Sequence, residues 1–116
     1  MRIKIYETLK NMFTRNRNSK ENNIDYETAK MILKNDKSAI LVDVRSPQEY
    51  KEKHLEGSIN IPIYNIEEKS KDSIPNKQNI VIVYCQSGGR SSKAVKILEK
   101  QGYSKLYNIE GGLDNI

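Results

Sequence analysis

The run Ile80-Val81-Ile82-Val83-Tyr84-Cys85-Gln86-Ser87-Gly88-Gly89-Arg90-Ser91 decides how this chain folds. Its first four residues are apolar and β-branched and the fifth is an aromatic, the pattern of a short buried strand. The residues after it, Ser91-Ser92-Lys93-Ala94-Val95-Lys96-Ile97-Leu98, have helical spacing, with Ala94, Ile97 and Leu98 on one face. Between strand and helix lies a glycine-containing loop headed by Cys85, the only cysteine of the chain. A thiol placed there meets the free N–H groups of the loop and the positive end of the helix dipole. Arg90 adds a fixed cation. Thiols in such settings have depressed pKa values and act as nucleophiles. A lone cysteine is more often a small buried hydrophobe. That role does not call for two glycines, a glutamine, a serine and an arginine directly behind it.

Upstream, Ala39-Ile40-Leu41-Val42-Asp43-Val44 reads as a second buried strand, apolar until Asp43. A helix is predicted before it over Ile24–Leu33, with Asp25 as N-cap. Another follows it from Ser46, where Pro47 takes the first helical position and Ser46 and Glu49 form a capping box. Ile59-Asn60-Ile61-Pro62 is a short strand, residues 64–71 a short helix, and residues 73–79 a turn region. Downstream, Gly102 ends the helix that follows Cys85, Lys105–Ile109 is a last strand, and Gly111-Gly112 turns the chain. Short apolar strands alternating with helices predict an α/β fold: a parallel central sheet with helices on both faces. Ligands of such sheets bind beyond the carboxyl ends of the strands, where Asp43 and Cys85 both stand.

One domain of ordinary core size fits 116 residues. A single cysteine allows no internal disulfide, which fits a reducing cytoplasm. With one Cys and one His, no cysteine-based metal site is expected, and no cofactor is called for. No apolar run is long enough to span a bilayer. The formal net charge of +5 is uneven. Residues 1–20 carry six basic side chains against Glu7 alone, so the fourteen basic and fourteen acidic residues of 21–116 cancel. A neutral domain behind a basic leader is not composed to bind nucleic acid. The leader's Ile5, Leu9, Met12 and Phe13 make an amphipathic stripe. Packing on the domain, contact with an anionic membrane and docking to a partner all remain open for it. The organisation expected is therefore a leader, 1–20, and a domain, 21–116.

Four segments together resemble the rhodanese, or thiosulfate sulfurtransferase-like, domain. They are Leu41-Val42-Asp43-Val44-Arg45 with Pro47, Glu49 and Tyr50; His54-Leu55-Glu56-Gly57-Ser58-Ile59-Asn60-Ile61-Pro62; the Cys85–Ser91 loop; and Gly111-Gly112-Leu113. They fall in the family's order and cover about residues 24–116. The family often carries a tryptophan after the double glycine, and this chain has none.

The resemblance implies sulfane-sulfur transfer through a persulfide on Cys85. The donor would be thiosulfate or a protein persulfide, and the acceptor a thiol, a protein or cyanide. Gln86, Ser87, Gly88, Gly89, Arg90 and Ser91 would cradle the anionic sulfur with backbone amides. Arg90 would bind the anionic donor, hold the loop, or both. Ser91 would bond the thiolate or cap the helix. Asp43 is expected to accept N–H bonds or pair with an arginine, ahead of a general-base role. Arg45 is either an anion ligand at the mouth or a surface charge. Glu49 is accounted for mainly by its capping box, and His54, the only histidine, by a helix-end or hydrogen-bonding role ahead of an acid–base one. Two rival functions stand beside this one. A cysteine phosphatase or arsenate reductase resembles C-x5-R, whereas Cys85 to Arg90 is C-x4-R, a smaller cradle. A persulfide carrier serving a relay partner would use the same Cys85 chemistry with little thiosulfate turnover.

Overall fold

The computed structural model describes residues 22–116. In chain order the elements are β1 (Asn23–Ile24), α1 (Tyr26–Asn35), β2 (Ile40–Asp43), α2 (Pro47–Glu52) and β3 (Ile59–Asn60). A 3-10 turn (Ile63–Asn65) then runs into α3 (Ile66–Ser73), followed by β4 (Val81–Tyr84), α4 (Gly89–Lys100), β5 (Leu106–Ile109) and a closing 3-10 turn (Gly112–Asn115). The basic leader read at residues 1–20 lies outside the described residues.

The five strands form one sheet in the order β1-β5-β4-β2-β3, and every pairing is parallel. The central β4 is buried along its whole length, as a strand covered on both faces must be. With this strand order, the right-handed crossovers that parallel strands favour put α1 and α2 on one face and α3 and α4 on the other. Tyr103, just after α4, ties the second pair together by donating its hydroxyl hydrogen to the carbonyls of Ser70 and Ile74 at the end of α3. From β2 the chain moves outward to β3, and from β4 it moves the opposite way to β5. The crevice beyond the carboxyl ends of β2 and β4 is thus the switch point of the sheet, the place where such folds bind ligands.

The helices begin where their side chains can satisfy free N–H groups. Asp25 accepts from Thr28 N at 2.8 Å. At α2 both halves of the capping box form: Ser46 Oγ accepts from Glu49 N at 3.2 Å, and the Glu49 carboxylate from Ser46 N at 3.0 Å. β1 differs from the sequence expectation, which placed Ile24 in a helix and no strand before it. An N-cap residue is extended, and Asp25 has φ −84° and ψ 169°, so the residues before it leave the helix. They pair with β5 instead, Asn23 opposite Asn108 and Ile24 opposite Ile109, burying Ile24. Two residues are too few to show strand alternation.

Among the described residues no helix is long and apolar enough to cross a membrane. No group of three or more His, Cys, Asp or Glu side chains there is placed to hold a metal ion.

Candidate active site

Cys85 follows directly on β4, and its side chain is 1% exposed. The helix behind it has an unusual start. Its N-cap is Gly88, which has no side chain to accept the first free amides. The sulfur does this instead. Gly88 N donates to Cys85 Sγ at 3.0 Å and Ser91 N, at the third helical position, at 3.4 Å. Sγ therefore occupies the place of a capping oxygen, where the helix dipole favours negative charge. Gly88 can present its N–H inward because its φ is +105°, a region that side chains disfavour.

The Ser91 hydroxyl adds a third donor. It lies 3.4 Å from Sγ and 3.2 Å from Gly88 O. One proton faces two acceptors, so it can turn to the sulfur as negative charge develops there. Burial pushes the Cys85 thiol up, but the bonds from the Ser91 hydroxyl and the Ser91, Gly88 and Ser87 amides outweigh it and hold the pKa below the ordinary value.

Arg90 does not reach over the loop. Nη1 and Nη2 donate to the two Glu49 carboxylate oxygens at 2.8 and 3.0 Å, a bidentate fork across the crevice to α2. The Arg90 pairing is the main cause that brings the Glu49 carboxyl down to about 2. In this structure the Arg90 side chain is spent on Glu49. The capping box alone did not reveal Glu49's second function.

Arg45 is not a surface charge. It is 3% exposed. Nε and Nη2 grip the fully buried Asp43 carboxylate at 2.7–3.1 Å, and Nη2 also donates to Lys53 O at 2.6 Å. Two residues apart at the end of β2, the pair closes on itself, and Asp43 Oδ1 also accepts Arg45 N at 2.8 Å. Asn60 Nδ2 ties the same corner to β3 through the carbonyls of Asp43 and Arg45. Beside it the Tyr84 hydroxyl is fully buried, accepts Leu55 N at 3.0 Å and lies 3.1 Å from Ser58 Oγ. Burial raises its pKa to about 12, so it stays a neutral phenol.

The loop is closed from below by the chain end. Leu113 N donates to Cys85 O and Asp114 N to Gln86 O, at 3.0 and 2.9 Å. Gln86 Nε2 donates to Asp114 Oδ1 at 2.7 Å, and Gln86 Oε1 faces Arg45 Nη1 at 3.4 Å. Ser87 and Gly89 complete the loop. His54 stands apart from it, with Nδ1 bonded to Tyr50 O at 2.7 Å and its ring stacked on that of Tyr50. Sequence reading missed the Glu49–Arg90 fork and the Asp114–Gln86 contact, both of which join segments far apart in the chain.

Comparison with known proteins agrees with this geometry. Residues 25–116 match the rhodanese-like domain family. Thiosulfate sulfurtransferase PspE of Escherichia coli (strain K12) is 40% identical over 75 residues, covering 65% of this chain and 71% of that protein. A putative mitochondrial thiosulfate sulfurtransferase of Schizosaccharomyces pombe is 41% identical over 87 residues, covering 66% of this chain and 61% of that one. Among solved structures, a rhodanese with anions from E. coli superposes with a TM-score of 0.62 at 37% identity, covering 67% of this chain and 91% of that one.

Proposed function

This chain belongs to the rhodanese-like domain family, and from that premise we propose that it is a sulfurtransferase that carries sulfane sulfur on Cys85. One observation carries the reading. The chain's only thiol caps a helix with its sulfur, with two amides and a hydroxyl within 3.4 Å. Such a site stabilises one negative sulfur.

The chemistry balances without a redox partner. The Cys85 thiolate attacks the outer sulfur of thiosulfate, the S–S bond of the donor breaks, and sulfite leaves with the electron pair. The product is a Cys85 persulfide, whose terminal sulfur is anionic. An acceptor nucleophile, a thiolate in the cell or cyanide in an assay, then attacks that terminal sulfur. The bond to Sγ breaks and the Cys85 thiolate returns. This is covalent catalysis with one nucleophile, and it uses no second thiol. A reducing compartment such as the cytoplasm keeps Cys85 available for it. Gln86 through Ser91 form the cradle, while Asp43 and Arg45 support it from β2.

The cysteine phosphatase reading is less well supported. That chemistry needs a guanidinium free to grip a tetrahedral oxyanion, and here the Arg90 fork is taken by Glu49.

The test is intact mass after incubation with thiosulfate, followed by cyanide and assay of thiocyanate. The protein should gain one sulfur atom, lose it to cyanide, and gain none as Cys85→Ser. A reactive Cys85 that takes no sulfur from thiosulfate or from a small-molecule persulfide would overturn the proposal.

A further inference from the structure

We propose that Glu49 is a positioning residue for the Cys85 thiolate: it holds Arg90, and through Arg90 the two amides that face the sulfur. The inference rests on the reading of Cys85 as the reactive thiol and assigns a role to a residue that never touches it. Arg90 lies in the chain between Gly88 and Ser91, whose N–H groups point at Sγ at 3.0 and 3.4 Å. Fixing its side chain fixes the backbone segment that carries both donors.

The anchor is itself fixed. Glu49 is held at the start of α2 by the capping box with Ser46. The far end of α2 is held by Lys53 O, which accepts from the buried Arg45. Since α2 buries none of its own residues, these polar ties place it. A rigid line therefore runs from the Asp43–Arg45 pair through α2 to Glu49, and from Glu49 across the crevice to the loop.

The exposure of the fork argues against stability as its main role. The Glu49 and Arg90 side chains are 32% and 38% exposed. Ion pairs that open to water contribute little to folding. A bidentate pair still fixes direction, because both guanidinium N–H bonds must stay in the carboxylate plane.

The experiment is the pH dependence of Cys85 alkylation by iodoacetamide, a neutral reagent that reads thiolate without any sulfur transfer. The charged and titratable groups around the loop are Glu49 from α2, Arg90 from α4, Asp43 and Arg45 from β2 and its end, Tyr84 from β4 and Asp114 from the closing turn. Only Glu49 and Arg90 are altered. In Glu49→Gln the half-rate pH should rise by about half a unit or more, slowing alkylation about threefold at a pH below it. Arg90→Lys, which keeps the charge and loses the fork, should shift it the same way. Glu49→Gln should add little in the Arg90→Lys background. Ser46→Ala, which removes one half of the capping box and leaves the fork in place, should lower the melting temperature and shift the half-rate pH clearly less than Glu49→Gln does. A half-rate pH in Glu49→Gln equal to wild type would overturn the proposal. So would a fall, since Glu49 would then be only a counter-charge that weakens Arg90, and so would an equal shift in Ser46→Ala. If Glu49→Gln does not fold, Arg90→Lys carries the test, because it leaves the capping box whole. Failure of wild-type protein to accept sulfur would refute the sulfurtransferase reading and leave this measurement standing.

Discussion

Replacing Gly112 by alanine should damage the site from behind. Gly112 has φ +59°, and its α-carbon lies against the backbone of the Cys85 loop. A methyl group there would meet Cys85 O, and Gln86 O at 2.7 Å, well inside ordinary contact. These are the two carbonyls that accept Leu113 N and Asp114 N. Three costs combine. The left-handed backbone costs a non-glycine residue about 1 kcal/mol. Overpacking against atoms that cannot rotate away costs about 1–3 kcal/mol. Loss of one of the two hydrogen bonds costs about 1 kcal/mol. The expected loss is therefore about 3–5 kcal/mol. Gly57→Ala is the control. Gly57 has φ +85°, but nothing lies within 4 Å of the added methyl, so only the backbone cost of about 1 kcal/mol applies. Urea unfolding should separate the two variants by about 2 kcal/mol or more. The loading of Cys85 with sulfur from thiosulfate should slow several-fold in Gly112→Ala and not in Gly57→Ala. If the two variants unfold within about 1 kcal/mol of each other and load sulfur alike, the closing turn does not buttress the loop.

The remaining expectations concern the ion pairs and the thiol. Glu49 has a folded pKa of about 2 against an ordinary 4.5, so its contribution is present above pH 4.5 and is lost as pH falls toward 2. Allowing for screening at a partly exposed pair, Glu49→Gln should cost about 1 kcal/mol at neutral pH, with the gap from wild type closing on the acid limb; a constant gap from pH 7 to pH 2 would contradict the linkage. Asp43→Asn should cost about 3–5 kcal/mol in urea unfolding, because Arg45 would stay buried without its counter-charge. A loss below about 1 kcal/mol would mean that Arg45 escapes to water. For Cys85, the ratio of labelling rates with a bulky and a small maleimide should rise several-fold once the persulfide forms, followed by mass; an unchanged ratio would show that sulfur addition brings no reactive atom to the mouth.

The strand–loop–helix around Cys85 was readable because its signals are local. An apolar β-branched run, two glycines and a helical repeat lie within nineteen residues, from Ile80 to Leu98. The capping box at Ser46 was readable for the same reason. What stayed hidden needed the fold. Asp43 and Arg45 are two apart, yet nothing in their spacing shows that β2 ends under cover, so Arg45 read as a surface or mouth charge. Arg90 and Glu49 stand 41 residues apart, and only the switch point between β2 and β4 brings them face to face. Ile24 read as the start of a helix because a two-residue edge strand is defined by its partner, not by its own pattern.

The burial of Cys85 and its proposed reactivity have to be reconciled. At 1% exposure the sulfur looks inaccessible, and burial alone would keep it a thiol. Two consequences of the geometry answer this. The site desolvates the sulfur but returns hydrogen bonds to its charged form, so the thiolate is favoured without water, as at an oxyanion site. Desolvation also removes the shell that an attacking anion must otherwise shed. The second consequence concerns the persulfide. An added sulfur extends the reactive atom by an S–S bond of about 2.05 Å. The atom that an acceptor must attack is then the outer one, which on the proposed reading extends toward the mouth while Sγ stays seated as the cap of α4. A deep thiol and a shallow persulfide suit a carrier that must hold its cargo against water and still release it to a second nucleophile.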